Sequence, residues 1–233
     1  MATTEKQQKM CIVTLEDLPN EVILKILGNL GMEDLFAFAK LSRRFKCVSQ
    51  DESLWIKMNI SLRKLPMSYL LRVLDNGCKY LSLYHSRIRA GTSADFILKK
   101  SCQLRYLDFS FCKAFDDFVL ERILVSCNSL QKLSLARIRF ISLDMIHGIC
   151  TKNSSTITTL DLCSARFTES HIGPYRNYFQ TIIKNCNKLT ELNLSYTDLS
   201  REDIIFLVTN LTETIENLNL ASIKGIYIKF VLT

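Results

Sequence analysis

The sequence predicts an α/β protein: a small block of three helices fused to a solenoid of parallel strands and helices. Three observations carry this expectation. Apolar residues recur at helical spacing in short runs between Leu18 and Trp55. After Trp55 one phrase returns at near-constant intervals: apolar, two variable residues, leucine, one variable residue, leucine. Between the phrases lie apolar-periodic stretches with helix start signals, which places strands on a concave side and helices on a convex side.

The first helix opens at Leu18-Pro19-Asn20-Glu21, where Pro19 suits a first helical position because its missing N–H would be unpaired there anyway. Val22, Ile23, Ile26, Leu27 and Leu30 form one apolar stripe, and Leu24 falls outside it. Gly28 and Gly31 mark the end. Leu35, Phe36 and Phe38 begin a second helix, Ser42-Arg43-Arg44-Phe45 a third, and Leu54-Trp55 closes the block. So small a unit leaves spare apolar surface that needs a partner or a neighbouring domain.

The repeating phrase begins at Cys78, Leu104, Leu130, Ile157, Leu189 and Ile215, at intervals of 26, 26, 27, 32 and 26 residues, and Trp55-x-x-Met58-x-Ile60 reads as a degenerate first copy. Alternate strand residues point to opposite faces, so the leucines face inward. The outward positions are Tyr80, Ser82 and Tyr84; Tyr106, Asp108 and Ser110; Lys132, Ser134 and Ala136. Later copies supply Thr159, Asp161 and Cys163; Glu191, Asn193 and Ser195; Asn217, Asn219 and Ala221. Helix starts are read at Asp116, at Ser142 and at Ser200, where Asp203 three residues on completes a capping box. The long interval predicts an extra loop near Gly173-Pro174-Tyr175. The last copy ends Ile226-Tyr227-Ile228-Lys229-Phe230-Val231-Leu232 without a polar cap. That ending predicts either a shortened form of a longer chain or a tail folded over the open edge.

At 233 residues and 48% hydrophobic, the chain can form one sizeable body and a small appendage, with residues 1–14 as a disordered tail. The absence of a long apolar run argues against a membrane partner, and the polar N-terminus against a secretory signal. Nine cysteines with no Cys-x-x-Cys pair argue against a disulfide framework and against zinc, so no cofactor is expected. The reducing cytoplasm and nucleus are the expected setting. The net charge of +7 is concentrated in residues 40–105, where fourteen lysines and arginines face four acids. Such a block suits an acidic or phosphorylated partner, with solvated surface lysines as the bland alternative. Nucleic acid is the weaker choice, because no recognised motif accompanies the charge.

The helical block resembles the F-box. Leu18-Pro19-Asn20-Glu21, Ile26-Leu27, Leu30, Leu35, Leu41-Ser42-Arg43-Arg44-Phe45 and Leu54-Trp55 follow that family's pattern. Leu41, Ser42, Phe45 and Glu52 depart from it. The repeats resemble cysteine-containing leucine-rich repeats: Cys102, Cys127 and Cys186 precede the phrase, and Cys112 stands where such repeats place Asn or Cys to satisfy loop backbone. The domains implied are an F-box over 15–55 and about six leucine-rich repeats over 56–233.

The resemblance implies a non-catalytic substrate receptor of an SCF-type cullin-RING ubiquitin ligase. It would bind the adaptor subunit through the F-box and, through that adaptor, the cullin and RING subunits. Leu18, Pro19, Leu24, Leu27, Leu30, Leu35 and Trp55 are the implied adaptor contacts. A protein substrate is expected on the strand face at Tyr80, Tyr84, Tyr106, Asp108, Lys132, Asp161, Glu191 and Asn193. A scaffold acting without degradation, an inhibitor needing no F-box, and a ligase with its own catalytic cysteine are the competing classes. The last would need a positioned base, and His85, His147 and His171 fall in three different repeats.

Overall fold

Pro19 ends an extended approach and stands as the N-cap of α1 (Asn20–Leu27), one position earlier than its sequence suggests. The structure is a computed structural model that describes residues 14–89, 97–98, 101–112, 117–139, 141–168, 182 and 184–223. The start signal at Asp116, the loop near Gly173 and the ending from Ile226 lie outside these residues. The chain divides after Leu54 into two compact units.

The first unit holds α1, α2 (Met32–Phe38) and α3 (Arg43–Ser49). Ser42 caps α3, its hydroxyl accepting from the Phe45 N–H at 3.1 Å. Ile23 and Leu27 from α1, Leu35, Phe36 and Phe38 from α2, and Phe45 and Val48 from α3 are buried. Phe38 and Phe45 stack with ring centroids 4.3 Å apart.

The second unit is built on a seven-stranded parallel sheet whose spatial order follows the chain. Its strands are β1 (Lys57–Asn59), β3 (Tyr80–Ser82), β5 (Tyr106–Asp108), β6 (Lys132–Ser134), β8 (Thr159–Asp161), β10 (Glu191–Asn193) and β11 (Asn217–Asn219). Each is three residues long with its leucine, or Met58 in β1, at the centre. Register is kept residue for residue in every pair, so Met58, Leu81, Leu107, Leu133, Leu160, Leu192 and Leu218 stand in one line. All but Leu218 are buried, as are Ile60, Leu83, Phe109, Leu135, Leu162 and Leu194 two residues on.

Two further parallel pairs follow the main strands: β2 (Lys64–Pro66) with β4 (Arg87–Arg89), and β7 (Ile141–Ser142) with β9 (Phe167–Thr168). The repeat phrase holds no hint of them. Helices α4 (Met67–Asp75), α5 (Asp117–Ser126), α6 (Leu143–Lys152) and α7 (Arg201–Thr209) connect strands. Ser142 caps α6, and Ser200 with Asp203 forms the expected capping box on α7.

Polar brackets tie neighbouring copies together. Buried Asn153, at the end of α6, accepts from the Leu130 N–H at 2.8 Å and donates to the Ile149 and Cys127 carbonyls at 3.0 and 3.4 Å. Cys112 donates its thiol to the Leu83 carbonyl at 2.9 Å, the backbone-satisfying role its position implied. The buried hydroxyl of Ser86 does the same for Ile60 at 2.7 Å. Burial pushes the Cys78 and Cys112 thiols up to about 12, which keeps both protonated and poorly nucleophilic at neutral pH.

After each main strand one residue adopts a left-handed backbone: Leu62, His85, Phe111, Arg137, Ser164, Tyr196 and Ser222, all with φ between 54° and 61°. None is glycine, so each copy carries some strain at its turn.

Candidate functional sites

Two surfaces stand out, one on each unit. On the helical unit, α1 has apolar side chains on both flanks. Ile23 and Leu27 turn inward, whereas Val22 and Ile26 are 40% and 39% exposed. These two are one helical turn apart and share a face. Leu15 before the helix and Leu30 after it are exposed as well.

The approach to α1 is fixed from α3. The Arg44 guanidinium donates to the Glu16 and Leu18 carbonyls and to Asn20 Oδ1, the last at 2.9 and 3.1 Å. A loose ion pair to Glu16 at 4.0 Å adds little. Asp17 accepts from the Thr14 N–H and hydroxyl at 2.8 Å, bonds that hold its carboxyl below the usual range. Leu18 and Pro19 are thus presented on a segment whose backbone is held by side chains.

A comparison with known families decides what this unit is: an F-box-like family model matches residues 15–61. The chain carries an F-box-like domain. The match takes in α1–α3 and runs on through β1.

Of the adaptor contacts that the F-box resemblance implied, Leu18 and Leu24 are half-buried, and Pro19 and Leu30 are exposed. Leu27, Leu35 and Trp55 are 0%, 3% and 1% exposed, so in the chain by itself they lie in the core rather than on the surface. Val22 and Ile26 are exposed residues of α1 that are not among those implied contacts. Both are visible in the stripe, but spacing alone does not say that the stripe is split between inside and outside.

The second surface is the open face of the main sheet. The shared register lines up its outward residues in two rows: Lys57, Tyr80, Tyr106, Lys132, Thr159, Glu191 and Asn217, then Asn59, Ser82, Asp108, Ser134, Asp161, Asn193 and Asn219. The second row is knitted together. Asp108 accepts from the Ser110 N–H at 3.0 Å and the Ser82 hydroxyl at 3.2 Å; Asp161 accepts from the Cys163 N–H at 3.0 Å and the Ser134 hydroxyl at 2.9 Å. Asn193 accepts from the Ser195 N–H at 3.1 Å and hydroxyl at 2.7 Å. These three residues close the turn after their strands, a structural duty that strand alternation does not reveal. In the first row, Glu191 accepts from Thr159 at 3.2 Å.

Tyr80, Tyr84, Tyr106 and Lys132 fall together near the start of the sheet. Tyr80 and Tyr84 are exposed, and half-buried Tyr106 has its hydroxyl pKa raised by burial and by Asp108, which keeps it a donor. A pocket of about 420 Å³ lies here, lined by Lys57, Met58, Asn59, Tyr80, Ser82, Arg105, Tyr106, Gln131 and Lys132. Beside it Tyr84 and His85 lie near the Phe111 ring, at 5.3 and 6.4 Å, and the Arg137 guanidinium sits 5.3 Å from that ring's centroid. His85, Phe111 and Arg137 reach this patch through their left-handed backbone, which no sequence pattern announces. The basic block is also divided: Lys57 and Arg105 line the pocket, while Lys64, Arg87 and Arg89 lie on the separate β2–β4 pair.

Proposed function

We propose that the chain is the substrate-recognition subunit of an SCF-type cullin-RING ubiquitin ligase. The F-box-like domain binds the adaptor, and through it the cullin and RING subunits. The array after Trp55, read as leucine-rich repeats, holds a protein substrate for ubiquitination and proteasomal degradation. The chain then supplies no catalytic residue; it raises the local concentration of substrate lysines near the charged conjugating enzyme. Within this class the Leu54-Trp55 junction and the repeat phrasing resemble S-phase kinase-associated protein 2. The nucleus and cytoplasm, where such ligases work, are the proposed setting.

The observation that carries this reading is the F-box-like match over residues 15–61, on a unit that keeps Val22, Ile26 and Leu30 in water. Co-purification with the adaptor tests it. Val22→Glu together with Ile26→Glu should weaken adaptor binding at least a hundredfold, about 3 kcal/mol, because desolvated apolar anchors dominate interfaces. Equal recovery of adaptor with the folded double variant would show that this face is not the contact. A complex that forms with the adaptor but never supports ubiquitination of a captured protein would instead identify a scaffold.

A further inference from the structure

We propose that Cys102 and Cys127 are a modification site, at which a peroxide converts two buried thiols into a disulfide that staples one copy of the array to the next. The inference stands apart from the receptor reading, because it concerns two core thiols and no binding surface.

The backbone sets the two residues side by side. They form a parallel β-bridge of their own, outside the main strands. Bridged residues lie about 4.8 Å apart, inside the span of about 4.4–6.8 Å between the Cα atoms of a disulfide. Both thiols are free and buried, with their sulfurs 3.3 Å apart. Closing to a bond of about 2.05 Å therefore asks for side-chain rotation and no movement of the copies themselves. The other buried thiols are placed differently. Cys78 donates to the Ile56 and Tyr80 carbonyls at 3.8 and 3.5 Å, and Cys112 to the Leu83 carbonyl. Cys150 neighbours Cys186 from within α6, where no β-bridge fixes the separation.

The two sulfurs are also made unequal. Cys102 receives hydrogen bonds from the Cys127 thiol, the Leu104 N–H and the Ser126 side chain, which together lower its pKa against the opposing effect of burial. The bond to Cys102 and burial push Cys127 up, although the Lys152 charge works the other way. The Lys152 ammonium is held beside the pair, donating to the Val125 carbonyl at 2.6 Å. The Cys127 thiol has a second acceptor in the Ile123 carbonyl at 3.1 Å. Cys102 is thus the thiol that ionises, and Cys127 keeps its proton in reserve. A readily ionised cysteine beside a resolving cysteine is the arrangement that peroxide oxidation uses.

The chemistry balances with hydrogen peroxide as oxidant. The Cys102 thiolate attacks one peroxide oxygen, the O–O bond breaks, and the departing hydroxide takes up the proton Cys102 gave away, leaving as water. Cys102 is now a sulfenic acid. The Cys127 sulfur attacks the Cys102 sulfur, the S–O bond breaks, and the hydroxyl leaves with the Cys127 proton as a second water. Two thiols lose two electrons, and one peroxide becomes two waters. Burial keeps bulky oxidants away, whereas a molecule little larger than water enters on local opening. The link is conditional: a reducing compartment keeps both thiols free until peroxide rises. It closes a ring from Cys102 to Cys127 that holds β5 and α5, so it constrains a whole copy of the unfolded chain.

Differential alkylation read by peptide mass spectrometry tests this on the full-length protein. Reduced protein is exposed to hydrogen peroxide, the remaining thiols are blocked under denaturing conditions, and the peptides are mapped. The Cys102 peptide should be joined to the Cys127 peptide, two hydrogens lighter than the separate pair, and dithiothreitol should release them. Cys78 and Cys112 should stay open to alkylation at the dose that links the pair. The oxidised protein should melt at least about 4 °C higher than the reduced one and lose that gain on reduction. Cys127→Ala should stop Cys102 at the sulfenic acid, which dimedone captures, with no gain in melting temperature. If this variant fails to fold, the mapping and the reversible melting shift on unaltered protein decide the same question. Free Cys102 and Cys127 after exposed Cys47 is fully oxidised, a link between Cys150 and Cys186 in their place, sulfinic acid at Cys102 with no link, or a link that leaves the melting temperature unchanged would each overturn the proposal.

Discussion

Before Leu54 the chain leaves Val22, Ile26 and Leu30 in water, whereas after it the repeat phrase hides every apolar position until the last copy, where Ile215, Leu218 and Leu220 are half-buried. Helices of eight, seven and seven residues give the first unit one small core, and α1 has apolar residues to spare. In the sheet each inner strand has a neighbour on either side, so one continuous core absorbs the leucines, and polar and aromatic residues are left to face out. Apolar residues held in water suit a constant partner that always covers them. A polar, aromatic and charged face is soluble when empty and can wait for a particular ligand.

The contrast is open to attack at several strengths. Phe109→Ala should cost the most, about 4 kcal/mol in denaturant unfolding, because it hollows out a side chain with no exposure. A small change there would mean that the sheet does not rely on its hidden row. Asn153→Ala should cost about 2 kcal/mol, since it strips the buried Leu130 N–H of its acceptor. Hydrogen exchange at that amide locates the loss. Leu62→Asn should raise stability by about 0.5–1 kcal/mol: the leucine is exposed at φ 61°, and asparagine adopts that conformation more easily. Val22→Glu with Ile26→Glu should shift unfolding least, by less than about 0.5 kcal/mol, as surface substitutions do. Strong destabilisation by that pair would mean that α1 has no free face and that the contrast between the units is false.

Sequence spacing locates the centre of every main strand, because an alternating phrase that repeats in register can be satisfied only one way, but its third outward position runs past the strand end: Ser110, Ala136 and Ser195 are buried in the turn. It also finds Ser142, Ser200 and the backbone role of Cys112, since local capping chemistry is written in neighbouring residues. It does not decide which half of an all-round apolar helix turns inward: on α1, Ile23 and Leu27 are buried while Val22 and Ile26 are exposed. Nor does it show that Arg44 reaches back to the Leu18 carbonyl, or that Lys132 joins Lys57 across four strands. Both are long-range side-chain meetings that leave no period behind. Asp108 and Asp161 are legible as outward-facing but not as turn brackets, because the same alternation describes a free carboxylate and one already engaged.

The connection from Leu133 to Leu160 takes 27 residues and that from Leu160 to Leu192 takes 32, yet Leu160 pairs with both partners residue for residue. Extra chain is absorbed between strands and never shifts the rows on the face. Insertions and substitutions therefore reach different properties of this molecule. A longer connector alters the periphery, while a change at an outward strand position alters one fixed address among known neighbours. Such a surface can be rewritten in evolution or in the laboratory a single character at a time, without re-threading the chain that carries it.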